Sequence, residues 1–418
     1  MEQKNEFDIG AFLLAIASGI VVVALVGTGA ILLASGLSGG LGARGAGFFR
    51  VSLYLAAFLL ASVLVGRVGL LALRRLRNRP EETARLRPLS IWLGLLLLAG
   101  WILSVTLAAV LNRGVFSQWF AIPFYLSSIG IPVYALTRLA AGGLDAGSSL
   151  RAWSALSAGM TVAPLLSILA EGLAVLLGIV VIAIYAALDP GRIQALQSLM
   201  EQVKRAASQE ETLLLLGPYL TSPLALLGGL LLLSVVTPLV EETAKSLAVW
   251  LAWRKLASPA QGFALGALSG AGFALMEGLF ISAAPNETWG FTLGIRAASA
   301  SMHVLASAVI GWGIGMFAAQ KRFLPMLGRY ALGISFHGLW NACVVVMTFS
   351  SGRMLLPSAG SALPNVAASI FILGGFCFLG LLILAAPISL WGANRWLRKS
   401  MPAMVENAET PPVENMVG

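Results

Sequence analysis

The chain has 418 residues, 58% hydrophobic and 11% charged, with a mean hydropathy of +0.88. Soluble domains carry about 25% charged residues, so this composition excludes a water-soluble enzyme, a disordered chain and a nucleic-acid module, and leaves a polytopic helical membrane protein. The net charge of +9 is read as cationic loops retained on the cytoplasmic side of a bilayer; no nucleic-acid partner is expected, because no basic run interleaves with aromatic residues.

Apolar runs of spanning length predict an all-α transmembrane bundle of about ten helices, at 10–36, 48–73, 90–111, 118–138, 160–188, 222–254, 260–284, 295–319, 328–349 and 366–391. The first run follows a polar start with Lys4 against Glu2, Glu6 and Asp8. It is too long for a signal-peptide core and reads as a retained anchor. Segment 191–211 is polar and helix-prone, with Ile193, Leu196, Leu199, Met200 and Val203 on one face; it is expected to lie on the outer membrane surface as an amphipathic helix. The residues after Ser400 are rich in proline and have no apolar period, which predicts disorder. The resulting organisation is N-terminal helices over 1–190, an extracytoplasmic segment over 191–221, a four-helix unit over 222–349, a last span within 350–400 and a tail over 401–418. Cys343 and Cys377 lie in apolar stretches and read as packing residues.

Basic residues set the expected orientation. Loop 74–88 carries Arg74, Arg75, Arg77, Arg79, Arg85 and Arg87, which places it and both termini in the cytoplasm. Alternation then puts 17 basic residues inside and 8 outside, Arg296 among the latter. Splitting 213–257 at Pro238 would give eleven helices and invert everything downstream.

Ionisable groups inside a bilayer are costly and therefore informative. Four of the 18 acids lie within predicted spans: Glu171, Glu241, Glu242 and Glu277. Glu171 follows Pro164 near the cytoplasmic end of its predicted helix and reads as a snorkelling surface acid. The other three cluster just upstream of His303 and His337, the only histidines of the chain. On a helix Lys245 reaches Glu241 four residues away and Glu242 three residues away. Two adjacent carboxylates repel, and Lys245 offsets part of that repulsion. Gly262, Gly266, Gly270, Ala274 and Gly278 form a four-residue stripe that admits a close neighbour and carries Glu277 with it. His303 is followed at the same spacing by Ser307, Gly311 and Gly315, and His337 stands one turn before Asn341.

At about 1.5 Å per residue, Glu242 and Asn341 lie about 18 Å from the inner surface, His337 about 12 Å, Glu277 about 25 Å and His303 about 27 Å. All are expected to line one cavity near mid-membrane. Carboxylates, imidazoles and an amide around a buried cavity suit hydrolysis: one group takes a proton from water while others donate to a developing oxyanion.

The ordered segments Glu241-Glu242-x-x-Lys245, Phe273-x-x-x-Glu277, His303 opening a glycine-rich helix, and His337-x-x-x-Asn341 resemble the motifs of the PrsW family of intramembrane proteases. That family is related to the CAAX prenyl protease and Abi membrane proteases. The resemblance covers about 222–349, a third of the chain. In the prenyl-protease branch the second motif ends in histidine, where this chain has Glu277. What the resemblance implies is a peptidase without a cofactor that cleaves membrane-protein or peptide substrates in the bilayer of a prokaryotic plasma membrane. Glu241 or Glu242 would be the general base, His303 would assist, His337 and Asn341 would bind the oxyanion, and Lys245 and Glu277 would set protonation and geometry. The nearest alternative is a zinc protease with Glu242, Glu277, His303 and His337 as ligands, although no HExxH is present. A proton-coupled transporter would use the same acids and histidines as a relay, yet no second copy of the Glu-Glu segment exists. A scaffold with a degenerate site is disfavoured because every motif residue is present.

Overall fold

The computed structural model describes residues 8–38, 46–114, 117–355 and 363–400. Among them, ten helices are long and apolar enough to cross a membrane, in an all-helical bundle with one two-stranded pairing. The helices are α1 (Ile9–Ser38), α2 (Ala46–Leu76), α3 (Ile91–Leu111), α4 (Ala121–Ala141), α5 (Ser149–Ala187), α6 (Pro190–Arg205), α7 (Gln209–Leu220), α8 (Pro223–Leu231), α9 (Thr237–Leu251), α10 (Pro259–Ser282), α11 (Trp289–Gln320), α12 (Phe323–Leu355) and α13 (Leu363–Ser400). The expected number of spans is found, and the protein is an integral membrane protein with a girdle of exposed side chains such as Leu13, Ile182, Leu224 and Leu373. The tail over 401–418 lies outside the described residues.

The centre of the bundle is the α10–α11 pair, buried along most of its length. Its small-residue stripes explain the burial. The helices run antiparallel so close together that a Cβ on Gly266 would collide with the Ser307 carbonyl, and one on Gly270 would sit 2.5 Å from the His303 carbonyl. Only the absence of a side chain permits that approach. A second such contact, Gly272 against the Leu156 carbonyl and Gly159 against that of Ser269, seats α5 on α10. Tyr125 of α4 donates to the Leu279 carbonyl of α10. The start of α10 is fixed by side-chain caps: Ser258 Oγ accepts from the Gln261 amide at 3.2 Å, and Gln261 Oε1 accepts from the amide of the preceding Ala257 at 3.0 Å.

Several boundaries differ from expectation. Helix α5 begins at Ser149, where Ser148 Oγ caps it by accepting from the Arg151 amide at 3.3 Å, and the Arg151 side chain is taken up by the Lys255 carbonyl. Its 39 residues are about 58 Å of helix. Glu171 is therefore not near the cytoplasmic end: it lies 22 residues into α5, with Oε1 buried and without a hydrogen-bond partner. Segment 191–211 is two helices, broken at Ala206 and restarted by Ser208, whose Oγ accepts from the Glu211 amide. In α6, Leu196 and Met200 remain 46% and 52% exposed. Pro238 does not split its span: 223–251 is continuous, with a π-helical turn (Leu232–Val236) absorbing the proline.

Contacts between loops fix relative sidedness. A short strand (Thr83–Arg85) pairs antiparallel with another (Asp145–Ser148). Arg75 meets Asp8 at 2.6 Å, Arg151 donates to the Lys255 carbonyl at 3.0 Å, and Asn394 donates to the carbonyls of Ala140 and Gly142. Asp8, loop 74–88 and the end of α13 thus share one face of the bundle. Arg296, counted with the outside basic residues at the very start of the expected span 295–319, is two turns inside α11, because that helix starts at Trp289.

Candidate active site

Helix α9 carries Glu241, Glu242 and Lys245 on one face, and all three are buried. The fully buried Lys245 Nζ donates to Glu241 Oε2 at 2.9 Å and to Glu242 Oε1 at 2.8 Å, and contacts His303 Nδ1 at 2.9 Å. It also stands 3.8 Å from the centre of the Phe273 ring. An ammonium ion stripped of water needs such compensation on every side. The two glutamates then differ. Glu242 has no exposed surface; it also accepts from Ser307 Oγ at 2.9 Å and meets His337 Nδ1 at 3.0 Å. Glu241 keeps an 11% exposed side chain and lies 3.9 Å from His337 Nε2 and 4.0 Å from His303 Nδ1, the nitrogen that also contacts Lys245.

Each histidine has one nitrogen anchored by a carboxylate. His303 Nε2 meets Glu277 Oε2 at 2.8 Å, and Glu277 is held in turn by Arg296. His337 Nδ1 is held by Glu242. The two rings stand edge to face with centroids 5.0 Å apart. Ser269 Oγ donates to the Lys245 carbonyl at 2.7 Å, tying α9 to α10 at the level of the cluster.

The structure brings Glu241, Glu242, Lys245, Glu277, His303 and His337 together and leaves Asn341 apart. Asn341 Nδ2 donates to the Leu233 carbonyl at 2.7 Å. The reason is Pro238. In the π-helical turn the Thr237 amide bonds the Leu232 carbonyl, and the next donor in line would be residue 238, which has no N–H. The orphaned Leu233 carbonyl is satisfied from α12. The roles of three participants escape the sequence reading. Arg296 counts among the outside basic residues, Ser307 reads only as part of the spacing after His303, and Ser269 is a hydroxyl in a glycine-rich helix that carries no charge to attract notice.

The donor set fits a metal. Among the described residues, Glu241, Glu242, His303 and His337 each offer a ligand atom within 4.8 Å of the others. Glu277, named in the expected zinc set, lies behind His303 instead. An imidazole anchored to a carboxylate by one nitrogen and open at the other is the usual posture of a ligating histidine. A bound ion would be held by these four residues once their ligand atoms drew together and Lys245 withdrew from His303 Nδ1. With neutral imidazoles, three carboxylates face two cations, Lys245 and Arg296, a balance that accommodates a further positive charge.

The PrsW family intramembrane metalloprotease model matches residues 152–368, just over half of the chain. The match begins inside α5, so the fifth span lies within the family region. No curated protein and no solved structure matches the chain. A polytopic helical bundle, acids and histidines buried together at its centre, and a family match across the segment that holds them lead to one conclusion: the chain belongs to the PrsW family of intramembrane metalloproteases and is a membrane-embedded peptidase.

Proposed function

We propose that the α9–α12 cluster is the hydrolytic centre and that Glu241 is its general base. The observation that carries this reading is the asymmetry of the glutamates: Glu242 is saturated by Lys245, Ser307 and His337, whereas Glu241 retains an accessible edge. A water shared between Glu241 Oε2 and His337 Nε2, 3.9 Å apart, gives its proton to the carboxylate as its oxygen attacks the scissile carbonyl. Glu241 then returns that proton to the departing amine. His337 donates to the developing oxyanion through Nε2. His303, oriented by Glu277 and Arg296, fixes the electrostatics of the pair. Asn341 holds the π-helical turn in place, which replaces the oxyanion role expected of it.

A divalent ion held by His303 Nδ1, His337 Nε2 and a cluster carboxylate would polarise the substrate carbonyl and make the attacking water more acidic. The proton-accepting role of Glu241 is the same with it. Substrates are membrane proteins or peptides reached from within the bilayer. The face bearing loop 74–88 is cytoplasmic, in the plasma membrane of a prokaryote, and α6 lies on the opposite surface. Residues 1–190 serve as a scaffold whose α4 and α5 brace the centre.

The test is turnover of a panel of single-span substrates by the full chain reconstituted in lipid vesicles, with bound metal measured on the same preparation. His303→Ala and His337→Ala are expected to lose about 10²–10⁴-fold. Full activity in both variants would overturn the reading. Metal at one equivalent in wild type and absent from both variants selects the metal-loaded form.

A further inference from the structure

On the face shared by Asp8, loop 74–88 and the end of α13, a cavity of about 380 Å³ lies between α4, α13 and the segment before α3. Four cations line it: Arg138 in the last turn of α4, and Arg395, Arg398 and Lys399 near the end of α13. No acidic residue does so, and among the described residues none of the four has an ion-pair partner. This separates the cavity from the exposed basic loops beside it, where Arg75 is paired with Asp8 and Glu81.

The site is built. Arg138 is held by Tyr134 Oη at 2.6 Å and the Pro88 carbonyl at 3.1 Å, which leaves its Nε buried without an acceptor. Arg398 lies against Gly143, whose backbone has a φ of +79° and whose missing side chain makes room for the guanidinium. Asn394 donates to the carbonyls of Ala140 and Gly142, engaging acceptors at the negative end of α4 that would otherwise repel an anion. Arg395 stands 5.3 Å over the Trp391 ring, and Trp391 also lines the cavity. Tryptophan beside clustered basic residues at a helix end marks the headgroup level of a bilayer.

We propose that this cavity binds the phosphate of an anionic phospholipid headgroup. Guanidinium groups match phosphate geometry in paired hydrogen bonds, and basic pockets between spans accept such headgroups. The same phosphate chemistry is offered by free phosphate, so the test separates the two. The full chain in detergent is titrated with dioctanoyl phosphatidylglycerol, dioctanoyl phosphatidylcholine or inorganic phosphate, and binding is read from the thermal unfolding midpoint. We expect saturable stabilisation by phosphatidylglycerol, and an apparent affinity at least about tenfold weaker in the Arg395→Gln/Arg398→Gln variant. A control of equal charge change, Lys321→Gln/Arg322→Gln, lies on the same face outside the cavity and should bind as wild type does. Equal phosphatidylglycerol affinity in wild type and the cavity variant would overturn the proposal, as would equal weakening in the control. Saturation by inorganic phosphate at the same concentrations would assign the free anion and reject the lipid. If the cavity variant fails to fold, single Lys399→Gln and Arg395→Gln variants carry the same comparison.

Discussion

Two groups of cations in this bundle obey opposite rules. At its centre, Lys245 is wholly buried and every direction around it is taken: two carboxylates, an imidazole and an aromatic face. At the rim, Arg138, Arg395, Arg398 and Lys399 share a cavity with no acid among its lining residues. The contrast follows from solvation. Far from water an unpaired charge costs several kcal/mol, so a central cation persists only inside a complete network. At the interface, water and headgroups meet that cost, and a cation can stay unpaired and available. Central charges therefore bear on folding and chemistry together, whereas rim charges are expected to be nearly free of folding consequences.

The contrast breaks most visibly at Lys245. Replacing it with Met leaves Glu241 and Glu242 facing each other without their cation. Breaking a buried pair costs about 3–5 kcal/mol, so thermal unfolding in detergent should fall sharply and activity should vanish; a Lys245→Met protein that melts with wild type would erase the distinction. Glu242→Gln comes next. It disturbs three partners at once and is expected to lower both stability and turnover, as read by unfolding and substrate cleavage on the same sample. Arg296→Gln sharpens the picture at the edge of the network. Glu277 is 25% exposed and keeps His303 as a partner, so the expected loss is about 10–100-fold in activity, the scale of an orienting contact, with little change in melting. Glu171→Gln tests a polar atom outside the network. Its Oε1 is already unpartnered, so peptidase activity should stay within about twofold; because an amide is cheaper to bury than a carboxylate, melting should hold or rise. The smallest effect is at the rim: Arg395→Gln/Arg398→Gln should change lipid-free stability by no more than about 0.5 kcal/mol, by unfolding in lipid-free detergent.

Most of the fold was legible because a bilayer demands long apolar runs, and ten such runs stand out in the chain. The glycine stripe of α10 was equally readable, since four-residue spacing has only one helical meaning. The centre was legible for the opposite reason: Glu241, Glu242, Lys245, Glu277, His303 and His337 are ionisable groups where such groups are scarce. What stayed hidden depends on three-dimensional detail. Arg296 stands at the very start of its expected span and counts with the outside basic residues; it meets Glu277 two turns inside α11 because that helix begins at Trp289. Asn341 was drawn to a backbone carbonyl that becomes orphaned only when Pro238 meets a π-helical turn. Ser307 carries no charge, so nothing in its spacing distinguished a carboxylate partner from a packing residue. The cavity at the rim needed the fold itself, because Arg138 and Arg398 are 260 positions apart in the chain.

The central claim is that the two adjacent glutamates are unequal, Glu241 acting as base and Glu242 as frame. Its most direct test is the cleavage rate of a single-span substrate by Glu241→Gln, on protein shown to unfold at the wild-type temperature. A folded protein slowed by about 10²–10⁴-fold is the predicted result. A folded Glu241→Gln protein that cleaves at the wild-type rate would contradict it.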